Sequence, residues 1–159
     1  MSTRRNVLKA IAAVAGAITV SIDVAQVRTT AQTVPPGMER IGIDGYDPVA
    51  YYTLLTPTAG AAEYDYVYDG VRYLFANAHH RDLFKANPEK YAPQFGGSCA
   101  MNMANGVKRE ADPTLWLIAD GKLYVFAGMA DAERFRKDAR TAAARAAENW
   151  KVLKNSPSQ

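Results

Sequence analysis

Hydrophobic and polar positions alternate with a period of two in two stretches of the chain. Tyr64-Asp65-Tyr66-Val67-Tyr68 and Val71-Arg72-Tyr73-Leu74-Phe75 flank Asp69-Gly70. Leu115-Trp116-Leu117-Ile118-Ala119 and Lys122-Leu123-Tyr124-Val125-Phe126 flank Asp120-Gly121. Aromatic and β-branched residues around a two-residue Asp-Gly turn, which tolerates positive φ, predict two β-hairpins. In the first, Tyr64, Tyr66 and Tyr68 share one face, and Val71, Tyr73 and Phe75 share one face of the partner strand. A helical period takes over elsewhere. Asn77 caps a helix over Ala78–Lys85 that Asn87-Pro88 ends, and Pro88–Tyr91 forms one more short turn. Phe135, Ala139, Ala142, Ala146, Trp150 and Leu153 recur at helical steps, which predicts one long amphipathic helix from Asp131 to Lys154. Asp47-Pro48 and Asp112-Pro113 each read as a cap and first turn. The stretch Gln94–Gly106 has no clean period and reads as an irregular strand or loop. The expected fold is α+β: a small antiparallel sheet built from two Asp-Gly hairpins, with packed helices and a long C-terminal helix. No repeat of solenoid length appears.

The N-terminus has a different pattern. Arg4-Arg5 is followed by an uncharged run of mostly Ala, Val and Ile from Ala10 to Val20, then by polar residues, as in a bacterial twin-arginine export signal. The run falls short of the roughly 20 apolar residues of a membrane span. Residues 1–31 are therefore the expected signal, with cleavage after Ala25 or Ala31, and an uncleaved anchor is the alternative that would tie the protein to a membrane. Residues 32–39, with Val34-Pro35-Pro36-Gly37, form a linker; the domain spans 40–154, and 155–159 is a frayed polar tail. The expected location is the periplasm.

Charge changes the picture only once this division is made. The chain of 159 residues carries a formal charge of +3, with 48% hydrophobic and 22% charged residues, values that fit one globular domain rather than a disordered chain. Arg4, Arg5, Lys9 and Arg28 against Asp23 account for that excess, and the remainder is formally neutral. Nucleic-acid binding loses its electrostatic support. One cysteine per chain excludes an intramolecular disulfide and any paired-cysteine zinc or redox motif, although a single thiol could join two copies as a homodimer.

Candidate chemistry concentrates at Cys99-Ala100-Met101-Asn102-Met103, with His79 and His80 upstream. Thiolate and thioether sulfur favour copper(I), and imidazole suits copper and zinc, so this set points to copper with zinc behind it. In an extended segment Cys99, Met101 and Met103 would face one side. The same spacing serves a buried strand, and Cys and Met are common core residues. Adjacent histidines on a helix diverge by about 100°, so His79 and His80 would not serve one ion together. A nucleophilic Cys99 would need a base, His79 or His80, and an orienting acid, Asp112 or Glu110. Asp44, Asp47, Asp112 and Asp120 fall at turns and caps, where short carboxylates satisfy backbone donors.

Several ordered motifs resemble the YHS domain. They are Gly45-Tyr46-Asp47-Pro48-Val49-Ala50-Tyr51-Tyr52, the hairpin Tyr68–Asn77, and Asp82-Leu83-Phe84-Lys85-Ala86-Asn87-Pro88-Glu89-Lys90-Tyr91. Phe95-Gly96-Gly97-Ser98-Cys99-Ala100, Asp112-Pro113, Trp116 and Asp120-Gly121-Lys122-Leu123-Tyr124 resemble the exported bacterial branch of that family. The resemblance spans residues 40–153 and implies a treble-clef-like α+β module. Related domains occur in heavy-metal ATPases and some monooxygenases, which implies metal binding or sensing. Metal-binding relatives carry a cysteine where this chain has Ala76, and Ser98 stands where tyrosine is common, so only Cys99 carries over.

Three functions are consistent with these residues. The first is a non-enzymatic periplasmic protein that binds a transition metal, copper foremost, through Cys99, Met101, Met103, His79 or His80, with a metal-handling or redox protein as partner. The second is a metal-free module whose aromatic surface, including Tyr46, Tyr51, Tyr66, Tyr73 and Trp116, holds a protein or an organic ligand. The third is a thiol enzyme or redox protein using Cys99.

Overall fold

The computed structural model describes residues Glu39–Gln159; the expected signal over residues 1–31 and all of the linker before Glu39 lie outside them. The architecture is α+β. Strands β1 (Arg40–Ile41), β2 (Ala61–Tyr68) and β3 (Val71–Phe75) form a three-stranded sheet in the order β1-β3-β2, and β4 (Asp112–Ala119) pairs with β5 (Lys122–Phe126) in a second sheet. The helices are α1 (Ala50–Thr53), α2 (Ala78–Ala86), α3 (Pro88–Tyr91), α4 (Ala100–Ala104), α5 (Met129–Lys137) and α6 (Ala139–Leu153). None of the described helices is long and apolar enough to cross a membrane.

Asp-Gly turns set the strand registers. Asp69 and Gly70 have φ of 48° and 73°, and Asp120 and Gly121 have 49° and 72°, the left-handed pair that a two-residue hairpin needs. Tyr68 consequently faces Val71, and Ala119 faces Lys122. Asn77 accepts from His80 N at 2.9 Å and starts α2, while Asn87 accepts from Lys90 N at 3.2 Å and starts α3.

The second half of the domain repeats the first. Asp-Gly-x-x-Tyr-x-Phe-Ala occurs at Asp69–Ala76 and again at Asp120–Ala127, each time followed by a helix whose inward phenylalanine is Phe84 or Phe135. Phe84 lies 5.2 Å from Tyr73 and 5.1 Å from Phe75; Phe135 lies 4.8 Å from Tyr124 and 5.2 Å from Phe126. The preceding loops correspond too. Ile43 and Phe95 both take positive φ, followed by Gly45 at 80° and Gly97 at 81°. Isolated bridges join Tyr46 to Ala59 and Ser98 to Glu110. Asp47 N donates to Thr58 O, and Cys99 N donates to Arg109 O, at 2.8 Å in both cases.

Each half has its own aromatic core. Phe84 centres the first, with Val49, Tyr73, Phe75 and Tyr91, and Tyr66 and Tyr68 edge-on to it. Phe135 centres the second, with Met103, Tyr124, Phe126 and Ala146. Helix α1 ties the two together: buried Tyr51 donates to Pro113 O at 2.8 Å and stacks edge-on against Trp116 at 5.3 Å.

Four expectations are corrected. The two hairpins do not build one antiparallel sheet: they lie in separate sheets, and β1 joins β3 in parallel. The C-terminal helix is two helices, because Asp138 leaves helical geometry at φ −152° and its carboxylate caps α6 by accepting from Thr141 N at 3.2 Å. Asp112-Pro113 opens strand β4 rather than a helix; Asp112 accepts from Thr114 N and pairs across the sheet with Phe126. The Gln94–Gly106 stretch contains helix α4, so it is neither a strand nor a plain loop.

Two outcomes follow from this packing. Phe84→Ala and Phe135→Ala should each cost about 3–5 kcal/mol in urea melts, as deletion of a fully enclosed ring does. Burial pushes the Tyr52 phenol up to about 12 and those of Tyr51 and Tyr73 higher. The folded state thus holds protons that the unfolded state releases above pH ~10. The stability these tyrosines contribute should be level below that pH and fall as the pH rises towards 12, with tyrosinate absorbance appearing together with unfolding.

Candidate functional site

The duplicated frame brings a side chain from the loop before a short helix against the third residue of the helix that follows each strand pair. In the first half these are Asp47 and His80; in the second they are Cys99 and Asp131. The two pairs have different duties.

Asp47 is wholly buried and its carboxylate is fully used by the fold. Oδ1 accepts from Val49 N at 2.8 Å and Ala50 N at 3.3 Å, and Oδ2 accepts from Ala76 N at 2.9 Å. His80 Nδ1 lies 2.6 Å from Oδ2, and Nε2 lies 3.3 Å from Thr53 Oγ1. Both imidazole nitrogens are thereby engaged. This acid–imidazole pair binds the start of α1, the end of β3 and α2 into one unit.

The second pair has a thiol where the first has a carboxylate. Cys99 is fully buried at the N-cap of α4, and its backbone is pinned by a bridge to Val125 of β5. Asn102 Nδ2 donates to Cys99 Sγ at 3.0 Å and to Asp131 Oδ2 at 3.0 Å. The thiol donates to that same oxygen at 3.8 Å. Arg134 Nη2 holds Asp131 Oδ1 at 2.6 Å, and the Asp131 side chain is 15% exposed. A thiol, an amide and a carboxylate therefore form one cluster, with Asp131 as its connection to the surface.

The five residues singled out as metal ligands do not assemble. Helix α4 turns Met101 and Met103 to different sides, roughly 200° apart at 100° per residue, so the shared face of an extended segment is absent. Met103 is buried in the core and Met101 is half-buried at its margin. His79 is exposed, and His80 belongs to Asp47. Among the described residues, no group of three or more His, Cys, Asp or Glu could hold an ion.

Nor do the proposed bases and orienting acids reach the thiol. Glu110 bonds Arg40 and Ser158, and Asp112 bonds Thr114, which holds its carboxyl below the usual carboxylate range. Of the aromatic surface set, Tyr51 and Tyr73 are core residues, while Tyr46, Tyr66 and Trp116 are half-buried. Asp131 and Asn102 are the site residues the sequence reading passes over. The internal repeat, which aligns Asp131 with His80 once Cys99 is aligned with Asp47, marks the place of Asp131 but not its chemistry, and aligns Asn102 only with Ala50. Comparison with family models, curated proteins and solved structures finds no match for the chain.

The contrast between the halves has a measurable consequence. Asp47→Ala strands His80 and the buried N–H groups of Val49 and Ala76, and should cost about 3–5 kcal/mol in guanidinium melts. Cys99→Ala leaves the Asn102–Asp131 hydrogen bond in place and should cost only about 1 kcal/mol.

Proposed function

We propose that the protein is an exported, treble-clef-like domain of the YHS type whose working group is the Cys99 thiol, with Asp131 as second donor to a thiophilic transition-metal ion. Copper stands ahead of zinc because sulfur leads the set. The observation that carries this reading is the exchange between the two halves. A carboxylate–imidazole pair devoted to holding the fold in one copy is a thiol–carboxylate pair at the equivalent place in the other. A buried thiol is an inert core group when aliphatic carbons surround it. Cys99 lies in the second core, and there an amide donor and a carboxylate also reach Sγ, at 3.0 and 3.8 Å. Cys99 Sγ and Asp131 Oδ2 lie 3.8 Å apart, close enough that both could hold one ion. Full burial of Cys99 favours a small reactant over a bulky substrate, in keeping with a metal-handling role outside the cytoplasm.

A second reading is supported by the thiol's own hydrogen bond. Asp131 is placed to accept the S–H proton, which is what a nucleophilic or redox thiol requires of a neighbouring base.

Anaerobic titration of the purified protein with Cu(I), Cu(II) and Zn(II) separates the readings. Metal binding predicts one equivalent per chain, lost in Cys99→Ala and weakened about 10- to 100-fold in Asp131→Asn. Equal binding by wild type and Cys99→Ala, or none, overturns it. The thiol reading then requires that small alkylating reagents label Cys99 with a rate that Asp131→Asn changes.

A further inference from the structure

We propose that the open edge of β4 is a docking site for an extended apolar peptide bearing a carboxylate, which adds to the β4–β5 sheet as a further strand. This site is separate from the Cys99 cluster.

Strand β4 pairs with β5 alone, and the far side of β5 is occupied by the bridge from Cys99 to Val125. The outer edge of β4 is thus where this sheet can grow. Hairpin geometry fixes which groups face outward. With Asp120-Gly121 as a two-residue turn, Ala119 and Lys122 form the hydrogen-bonded pair next to it, and pairs alternate from there. Trp116 and Ile118, opposite Val125 and Leu123, therefore direct their N–H and C=O groups away from β5. No described residue pairs with that side.

Edges of this kind are usually guarded. The outer strand of the other sheet, β2, carries Glu63 and Asp65, whereas Leu115-Trp116-Leu117-Ile118 carries no charge. A cavity of about 590 Å³ lies along this unguarded edge. Its walls come from both faces of the strand. Leu115 and Leu117 belong to the face packed on the Phe135 core, and Trp116 and Ile118 to the face packed on Tyr51. Leu55 and Met129 extend the walls outward and are 69% and 62% exposed, unusual values for large apolar side chains.

Shape and charge together select the occupant. A strand supplies both backbone partners for Trp116 and Ile118 and side chains for two apolar walls, which a compact ligand does not. Arg136 stands in the cavity wall, in the basic last turn of α5 with Arg134 and Lys137. Arg134 is paired with Asp131, while Arg136 has no ion pair or hydrogen bond among the described residues. A guanidinium beside a hydrophobic channel calls for a carboxylate on the incoming strand, either a chain terminus or an acidic side chain.

Fluorescence anisotropy with labelled synthetic pentapeptides tests this on the full protein. One panel has Val, Ile, Leu or Phe at alternating positions and a free C-terminal carboxylate. A second is amidated with Glu as last residue, and a third is N-methylated at alternating amides. Saturable binding of the first or second panel, weakened about tenfold by Arg136→Glu and by Met129→Lys and at least as much by N-methylation, supports the proposal. Whichever panel binds tells terminus from side chain. No saturable binding by either panel overturns it, as do equal binding of the N-methylated panel and insensitivity to Arg136→Glu. Sedimentation showing a dimer that Met129→Lys dissolves also overturns it, by assigning the edge to a second copy. Both substituted residues are exposed, and circular dichroism verifies that the variants fold. Cys99→Ala should bind as wild type, so failure here leaves the thiol reading untouched, and the reverse holds as well.

Discussion

One buried carboxylate holds together the elements on which much of the rest of this structure depends. Asp47 takes hydrogen bonds from the backbone of Val49 and Ala76 and from the His80 ring, thereby joining the start of α1 to the β3–α2 corner, 29 and 33 residues further on. Left unpaired, a charge in that position would be prohibitive, and each of its partners would be a stranded donor. Once it is satisfied, α1 has a fixed direction. Tyr51 and Tyr52 then project onto the second half, where their hydroxyls donate to Pro113 O and Gly121 O. The junction between halves is thus built from hydrogen-bonded tyrosines whose placement descends from Asp47.

The second half can dispense with such a carboxylate because a different element supports it. Helix α3 in the first half is a single turn, whereas α6 in the corresponding place runs for 15 residues. It packs Ala142 and Ala146 into the core, and Asn149 Nδ2 donates to Met103 O and Ala104 O at 2.9 and 3.3 Å. The carbonyl end of α4 is therefore held by the side chain of a helix that the first half lacks at that length. With α4 secured by α6 and by the Cys99–Val125 bridge, the position equivalent to Asp47 no longer has to pin the chain. A residue chosen for chemistry can occupy it at small cost to the fold. The positive φ of Ile43 and Phe95 just upstream places both loops in the same sparsely populated conformation, so the strain belongs to the shared frame of the two halves.

What the sequence made legible was local. The two Asp-Gly turns, the strands around them and the Asn77 cap all follow from residues within a few positions of one another, where steric and hydrogen-bonding preferences act directly. Misreadings arose where a local signal competed with a longer one. The apolar stripe from Phe135 to Leu153 continues through Asp138, so periodicity alone joins α5 to α6; the Asp138 carboxylate that caps Thr141 N breaks it. Around Cys99, glycines on one side and Asn105-Gly106 on the other conceal a five-residue helix whose Ala and Met residues are good helix formers. The cluster itself was invisible for another reason. Asp131 and Cys99 are brought together by the β4–β5 hairpin, and a single duplication with an aspartate aligned to a histidine and a cysteine aligned to an aspartate leaves no common chemistry to notice.

Helix α5 shows why Asp131 cannot be assigned to one duty. Its N-cap, Gly128, offers no side-chain acceptor, whereas Asn77 caps the corresponding helix α2. An acidic residue in the first turn offsets the exposed N–H groups there, and Asp131 is the one present. Asp131 also pairs with Arg134 one turn on. A carboxylate needed only for the helix would serve as well pointing to solvent. Asp131 is instead turned inward against a buried thiol, with Asn102 bonded to both, an orientation that neither the helix terminus nor the Arg134 pair requires. On the same helix, Met129, Ala132 and Arg136 follow at steps of three and four and line the β4 edge. One nine-residue helix thus presents its acid to the thiol and a separate stripe to the open strand, so its placement on β4 and β5 governs both surfaces.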